Sequence, residues 1–351
     1  MNTITIANRQ IGPNHTPFII AEMSGNHNQS LDRALAIVDA AAEAGAHAIK
    51  LQTYTADTMT MKGAHTIDDE QSLWHGQELH DLYKLAYTPW EWHKPLFERA
   101  KEHGMIAFSS PFDASSVDFL ETLDVPVYKV ASFENTDIPL LKKVAQTQKP
   151  VIMSTGVASL AQIDEAVHVL KENGCKELIL LKCTSTYPAT PENTNIRTIP
   201  HMEKIFDCPI GLSDHTMGIG ASVASVALGA CVIEKHFTLS RADGGVDSAF
   251  SLEPLELKSL VVESERAFLS LGKVQLNVQK AEKNSLLFKR SIYVSKDLNI
   301  GDVLAEDNVK VIRPGLGLEP KYYELILGKK VSKVIKAGTP LEWEHITENK
   351  E

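Results

Sequence analysis

The sequence predicts an α/β protein: a parallel TIM-type (β/α)8 barrel over residues 1–272, a linker at 273–288, and a small β-rich domain at 289–351. Three observations carry this. From Phe18 to Leu271 short apolar runs alternate with amphipathic stretches of helical period, eight times in about 255 residues, the usual extent of such a barrel. Ionisable and hydroxyl residues recur at the carboxyl ends of the runs, where a barrel builds its active site. After Gly272 this alternation stops, and short β-like runs between Gly and Pro turns replace it. A doubly wound open sheet is the alternative, but it normally carries a glycine-rich turn after its first strand, and Ser24-Gly25-Asn26-His27 is not one.

Residues 3–12 read as a hairpin, because Thr3-Ile4-Thr5-Ile6 alternates and Gly12-Pro13 ends the run. Barrel strands are expected at 18–23, 46–52, 105–110, 126–132, 150–154, 177–183, 209–213 and 231–237. Apolar periodicity predicts helices from Leu31 to Ala44, Trp90 to Glu102, Ser115 to Leu123, Ile138 to Thr147, Leu160 to Glu172, Ile219 to Leu228 and Leu255 to Leu271. The segment 55–88 is too long for an ordinary βα loop. Tyr54, Trp74, Tyr83 and Tyr87 make it an ordered cover, since aromatic side chains supply burial that disordered segments lack. Residues 273–290 read as polar, without apolar periodicity, and therefore as a linker. In the small domain, strands are expected at 291–294, 302–304, 309–312 and 328–334.

A formal charge of −10 argues against a nucleic-acid partner, which needs clustered Lys and Arg. The 4 cysteines show no CxxC spacing and read as reduced thiols. No apolar leader or membrane-length stretch is present, so the expected location is cytoplasmic, away from membranes.

The segment 210–240 concentrates the chemistry. It reads as strand, helix, strand, so parallel pairing brings His215 and His236 out at the same end of neighbouring strands. Ser213 shares a face with His215, and Glu234 with His236, because side chains alternate with period two. Two imidazoles at matching strand ends suit one divalent metal, whereas a lone His is more often a satisfied core residue. Lys50 and Lys129 lie inside apolar strands, where an unpaired ammonium is costly, so something anionic should face them. Ser110, Ser132 and Ser154 add hydroxyl donors, although a serine at a strand end also serves as a helix cap. Glu22 and Glu134 are left for proton transfer or hydroxyl binding. This set suits carbon–carbon bond formation between a phosphorylated enol and a carbonyl, and equally a metal-dependent sugar isomerase or epimerase.

Several motifs carry a resemblance. Ala21-Glu22-Met23-Ser24-Gly25-Asn26-His27-Asn28, Ile49-Lys50-Leu51-Gln52-Thr53-Tyr54, Tyr128-Lys129-Val130-Ala131-Ser132-Phe133-Glu134, Ser154-Thr155-Gly156, Cys183-Thr184-Ser185-Thr186-Tyr187-Pro188, Leu212-Ser213-Asp214-His215-Thr216 and Glu234-Lys235-His236-Phe237-Thr238 resemble the sialic acid (nonulosonic acid) synthase family. The resemblance implies a TIM barrel with a C-terminal antifreeze-like (SAF) domain, and condensation of phosphoenolpyruvate with an N-acetylated amino sugar. Met23-Ser24, the segment 82–93 and Asp247-Ser248-Ala249-Phe250-Ser251 are most similar to the pseudaminic acid branch. That implies 2,4-diacetamido-2,4,6-trideoxy-L-altrose as the sugar, and a nonulosonic acid for bacterial surfaces and flagellin glycosylation. N-acetylneuraminic and legionaminic acid synthesis are the alternatives with the same chemistry. By resemblance Lys50, Ser110, Lys129, Ser132, Ser154 and Ser213 hold phosphoenolpyruvate, and His215 and His236 hold a divalent ion, Mn²⁺ before Mg²⁺ or Co²⁺. Glu22, Asp247 and Tyr187 bind the sugar, Glu134 is the acid/base group, and Glu22, His215 and His236 join it as catalytic residues. Thr186 stands where sialic acid synthases commonly carry Asn, so its contact does not transfer. The resemblance also implies a homodimer whose exchanged small domain brings Arg313 to the partner's barrel.

Overall fold

Alternation in the first residues forms an antiparallel hairpin, β1 (Ile4–Ile6) and β2 (Arg9–Ile11), in which Ile4 pairs with Ile11. Ala7 and Asn8 close it with φ of 45° and 70°, the positive values that a two-residue hairpin turn demands. The computed structural model describes residues 3–70 and 72–347. The remaining positions of the expected domains, residues 1, 2, 71 and 348–351, lie outside the described residues.

Eight parallel strands then close into a barrel: β3 (Phe18–Glu22), β4 (Ala48–Thr53), β5 (Ile106–Pro111), β6 (Tyr128–Val130), β7 (Val151–Ser154), β8 (Leu178–Cys183), β9 (Ile210–Ser213) and β10 (Val232–His236). They pair in chain order, and β10 returns to β3. Both faces of each strand are covered, which is why the strands read as continuous apolar runs. On β10, Val232 packs inside the barrel with Phe18 and Ile20, while Ile233 packs outward with helix residues such as Ile37 and Leu260. Glu234 and His236 therefore point inward and Lys235 outward, where its ammonium meets Asp214 and the carbonyls of Thr216 and Gly218. Ile4, Ile6 and Ile11 join the interior cluster of Phe18, Phe108, Ile152 and Val232, so the hairpin plugs the barrel's amino-terminal end.

The outer layer and the inserted cover comprise α1 (Leu31–Glu43), α2 (Ala56–Met59), α3 (Leu79–Ala86), α4 (Trp90–Glu102), α5 (Ala114–Thr122), α6 (Ile138–Gln146), α7 (Leu160–Glu172), α8 (Pro191–Thr194), α9 (Ile199–Phe206), α10 (Gly220–Val226) and α11 (Pro254–Leu271). Ser30, Asp113, Asp137 and Ser159 cap their helices through the side chain. The periodicity misses α8 and α9, the helices between β8 and β9. They are short, and Pro191 and Pro200 read as breakers, although each sits in a first helical turn where the missing N–H is tolerated. The strand expected at 126–132 stops at Val130, because Ser132–Glu134 turns into a 3-10 helix. The cover is ordered around the Tyr54 ring, which lies 5.7 Å from Tyr83 and 5.2 Å from Phe112.

The chain divides after Gly272 into two compact units. The second contains β11 (Ser291–Val294) and β12 (Val309–Ile312), paired antiparallel, over a core that includes Ile292, Leu304, Ile326 and Leu341. The strands expected at 302–304 and 328–334 reduce to single bridges, Val303 to Lys330 and Val331 to Ile346, because glycine turns at 301 and 328 interrupt pairing. The stretch 273–290 also differs from its reading as polar and without apolar periodicity. Residues Lys280–Phe288 form 3-10 turns, and Val274, Leu276 and Val278 alternate as apolar residues, the first two 93% and 95% exposed. Among the described residues no helix is long and apolar enough to cross a membrane.

Candidate active site

Strand alternation brings Glu22, Lys50, Ser110, Lys129, Ser154, Ser213, Glu234 and His236 to the barrel interior at its carboxyl end, all of them buried. The register fixes neighbours: Glu22 lies beside both His236 and Lys50, and Ser213 beside Glu234. Lys50 Nζ is 2.6 Å from Glu22 Oε2 and donates to Ser110 Oγ at 3.2 Å. Lys129 Nζ donates to Ser154 Oγ at 2.7 Å and to the Val130 carbonyl at 3.1 Å. Glu234 stands between the two ammonium groups, 3.8 Å from Lys50 and 3.7 Å from Lys129, and accepts from Ser213 Oγ at 2.9 Å. The anion that the lysines demand is thus supplied by the protein's own Glu22 and Glu234.

The charges sort themselves by position. Burial raises the carboxyl of Glu234, but Lys129 and Lys50 outweigh it and hold that group below its ordinary value. Glu22 is pushed up to about 7, by burial first and by the like charge of Glu234, against the pull of Lys50. Burial likewise lowers Lys129. Of the two carboxyls, Glu234 holds the fixed negative charge, and Glu22 gives up its proton near neutrality. Glu22 is not free, since Gln52 Nε2 donates to it at 2.8 Å.

One layer above Glu234, the rings of His215 and His236 lie 5.3 Å apart, centroid to centroid. His236 is held well below its ordinary pKa by burial, then by His215 and the lysines, and its Nδ1 is buried without a hydrogen-bond partner. His215 Nδ1 is 3.0 Å from the Thr184 carbonyl, a contact that puts the proton on Nδ1 and leaves Nε2 as a lone pair. A neutral imidazole with an orphaned nitrogen beside a second one oriented by a carbonyl fits a divalent ion. Tyr187 packs 4.6 Å from His215, and Phe250 packs 4.9 Å from His236. Asp247 Oδ2 is 3.6 Å from His236 Nδ1 and accepts a hydrogen bond from Ser24 Oγ. A different grouping, Glu342, Glu344 and His345, lies in the second unit, but His345 Nδ1 already accepts from the Glu342 backbone in a local cap.

Ser132 Oγ accepts from Gly156 N at 3.2 Å. A Cβ on Gly156 would lie 2.2 Å from Ser185 Oγ and 2.7 Å from Ser132 Oγ, so only glycine lets this loop approach. Glu134 follows Ser132 on the same 3-10 turn, with Oε2 buried and unpartnered, and burial pushes its carboxyl up to about 7 against the pull of Lys129. Arg313 belongs to the second unit and is exposed, while Thr186 is exposed on the loop after β8. Sequence reasoning gave no chemical role to Glu234 or Gln52, and used Ser24 only as part of a motif and Trp74 only as part of the ordered cover. Glu234 and Gln52 carry the strand-end signal of their neighbours; Ser24 and Trp74 owe their places to contacts more than 150 residues away, with Asp247 and with the Val246 carbonyl.

The model described as "NeuB family" matches residues 37–276, and the SAF domain matches residues 289–347. The chain is 43% identical over 330 residues to a pseudaminic acid synthase of Campylobacter jejuni, covering 93% of this chain and 95% of that one. It is 38% identical to an N,N'-diacetyllegionaminic acid synthase of the same organism, covering 91% and 96%. Among solved structures, the N-acetylneuraminic acid synthetase of Leptospira borgpetersenii superposes with a TM-score of 0.73 at 35% identity, covering 81% of this chain and 95% of that one. With a closed parallel barrel, a paired-lysine interior and a full-length match of this kind, the chain belongs to the NeuB family.

Proposed function

We propose that the chain condenses phosphoenolpyruvate with 2,4-diacetamido-2,4,6-trideoxy-L-altrose, giving pseudaminic acid and phosphate. The observation that carries this reading is the layering of the site: two buried lysines with serine partners lie deep in the barrel, and a histidine pair beside Asp247, with the orphaned Nδ1 of His236, lies above them. The relatives named for pseudaminic acid favour this sugar over those of the legionaminic and neuraminic acid enzymes.

Lys50 and Lys129, with Ser110, Ser132, Ser154 and Ser213, would hold the phosphate and carboxylate of phosphoenolpyruvate, as point charges ringed by hydroxyl donors. Glu22, Asp247 and Tyr187 would orient the sugar. A divalent ion on His215 and His236, Mn²⁺ with Mg²⁺ and Co²⁺ as alternatives, would polarise the open-chain aldehyde. Carbon 3 of phosphoenolpyruvate would bond to the aldehyde carbon, whose oxygen takes the π pair and, in net terms, the proton that the water gives up as it adds to the cationic carbon 2. Glu134, with a carboxyl near 7, takes the proton of that water, and the tetrahedral centre collapses by breaking its carbon–oxygen bond to phosphate. In this reading the enzyme works in the cytoplasm as a homodimer, and its product serves surface or flagellin glycosylation. The exposed Val274 and Leu276 and the 64% exposed Phe288 support a second copy as partner, with Arg313 reaching the sugar from the partner's small domain.

Phosphate release from phosphoenolpyruvate, assayed over a panel of amino sugars with and without chelator, tests the function. The altrose-configured diacetamido sugar should exceed N-acetylmannosamine at least tenfold in kcat/KM, about 1.4 kcal/mol in the transition state. Comparable values would reject the sugar, and no phosphate release with any sugar would reject condensation in favour of epimerisation.

A further inference from the structure

Ser24, in the turn that follows β3, is held at φ 47°. A side chain is strained there and glycine is the natural occupant, so a serine in this place needs a reason. Its hydroxyl supplies one. Ser24 is buried, and its Oγ lies between Gln52 Nε2, at 3.1 Å, and Asp247 Oδ2. Chemistry sets the direction of both bonds. An amide nitrogen donates and a carboxylate accepts, so the hydroxyl accepts from Gln52 and gives its single proton to Asp247. The other Gln52 proton goes to Glu22 Oε1 at 2.8 Å. One run of hydrogen bonds therefore joins Glu22 to Asp247 through Gln52 and Ser24, from the first barrel strand to the loop after the last.

Other contacts place that loop independently of Ser24. Asn26 Nδ2 donates to the Phe237 carbonyl at 2.9 Å and to Ser251 Oγ at 2.8 Å, and Ser251 Oγ donates to the Asp247 carbonyl at 2.7 Å. Asn28 Nδ2 donates to the Gly244 carbonyl at 3.2 Å. The chain path is thus secured on both sides of Asp247. What Ser24 adds is the setting of the carboxylate itself, 3.6 Å from His236 Nδ1. A serine kept in a strained conformation, beside a loop already fixed by its neighbours, serves the side chain that it touches.

We propose that Ser24 is a positioning residue for sugar recognition: its hydroxyl, oriented by Gln52, fixes the Asp247 carboxylate relative to Glu22, and the spacing of these two carboxylates sets which amino sugar is accepted. The proposal rests on Glu22 and Asp247 facing the sugar, as in the function above.

The test compares wild type with Ser24→Gly, Ser24→Ala, Asp247→Ala and Ser24→Gly/Asp247→Ala, all in the full chain. Each is assayed by phosphate release with the altrose-configured diacetamido sugar and with N-acetylmannosamine. Glycine relieves the backbone and alanine keeps its strain, yet both lack the hydroxyl. Both should lower kcat/KM for the preferred sugar about tenfold or more and narrow the gap between the two sugars, with the KM for phosphoenolpyruvate unchanged. In the Asp247→Ala background the Ser24→Gly change should cost less than about twofold, because the group it acts through is gone. The same cycle, read as the shift in melting temperature that the sugar produces, keeps the comparison if Asp247→Ala turns over too slowly to assay. Wild-type kcat/KM in Ser24→Gly overturns the proposal, since glycine replaces a residue needed only for the turn without loss. So does an equal loss with and without Asp247, or a phosphoenolpyruvate KM that rises in step with that of the sugar. A wild type that prefers N-acetylmannosamine rejects the pseudaminic reading alone, and the cycle measured on that sugar still decides the role of Ser24. A wild type that releases phosphate with no sugar rejects both.

Discussion

Glu234 reaches across the barrel to Lys129, 3.7 Å away, while its other oxygen lies 3.8 Å from Lys50 on the opposite side. β10 and β6 are not neighbours in the sheet, so this carboxylate joins the two ammonium groups through the interior. Removing one partner of a buried ion pair leaves the other charge uncompensated, at a cost of about 3 kcal/mol or more. Glu234→Gln should therefore melt well below wild type, and added phosphate should restore more stability to the variant than to wild type. Equal melting temperatures with equal phosphate shifts would show that Glu234 is not the resident counter-charge.

Alanine at His215 or His236 should lower turnover about a hundredfold or more with the barrel still folded, because each removes an imidazole from the proposed ion. Metal content by mass spectrometry checks the assignment. Full stoichiometry in a folded double variant would remove it.

The carboxyl of Glu134 is displaced upward from 4.5 to about 7 by burial. A folded-state value above the unfolded one favours folding while the group is protonated in both states, and that advantage is lost as pH rises through 7. Glu134→Gln should accordingly gain stability relative to wild type at pH 8, by up to about 3 kcal/mol, and lose most of that gain at pH 4.5. It should also remove one of the two ionisations near 7 from the pH profile of kcat/KM, leaving that of Glu22. A wild-type profile flat across neutrality would deny Glu134 the proton transfer.

If Arg313 serves the partner's barrel, two inactive proteins should complement. Mixing His236→Ala with Arg313→Ala under subunit exchange gives mixed dimers in which one site has both residues intact. Activity should return to about a quarter of wild type, since half the dimers are mixed and each has one complete site. Verified exchange without recovery would place Arg313 at its own barrel or at none.

How far the sequence could be read depended on the range of the interactions. The barrel was legible because each strand and most helices announce themselves within a dozen residues, by apolar period and by caps such as Ser30 and Asp137. α8 and α9 were not, because proline reads as an interruption until its place in a first turn is seen. The lysines were legible as misfits in apolar strands, and the histidines by strand-end position. Their partners were hidden: Glu234 meets Lys129 across the interior, and Trp74 meets Val246 across 172 residues of chain. The apolar alternation of Val274, Leu276 and Val278 was present but masked by polar neighbours.

Phe18, Ile20, Phe108, Ile152 and Val232 fill the barrel below the lysines and the β1–β2 hairpin seals them from beneath, so the site is a cup. Everything that enters must leave by the same rim, and the floor is the lysine level, one layer below the histidines. The cup therefore fills from the bottom. On the proposed function, the phosphorylated substrate would arrive before the sugar closes over it, and the phosphate released at the floor would stay until the larger product has lifted away.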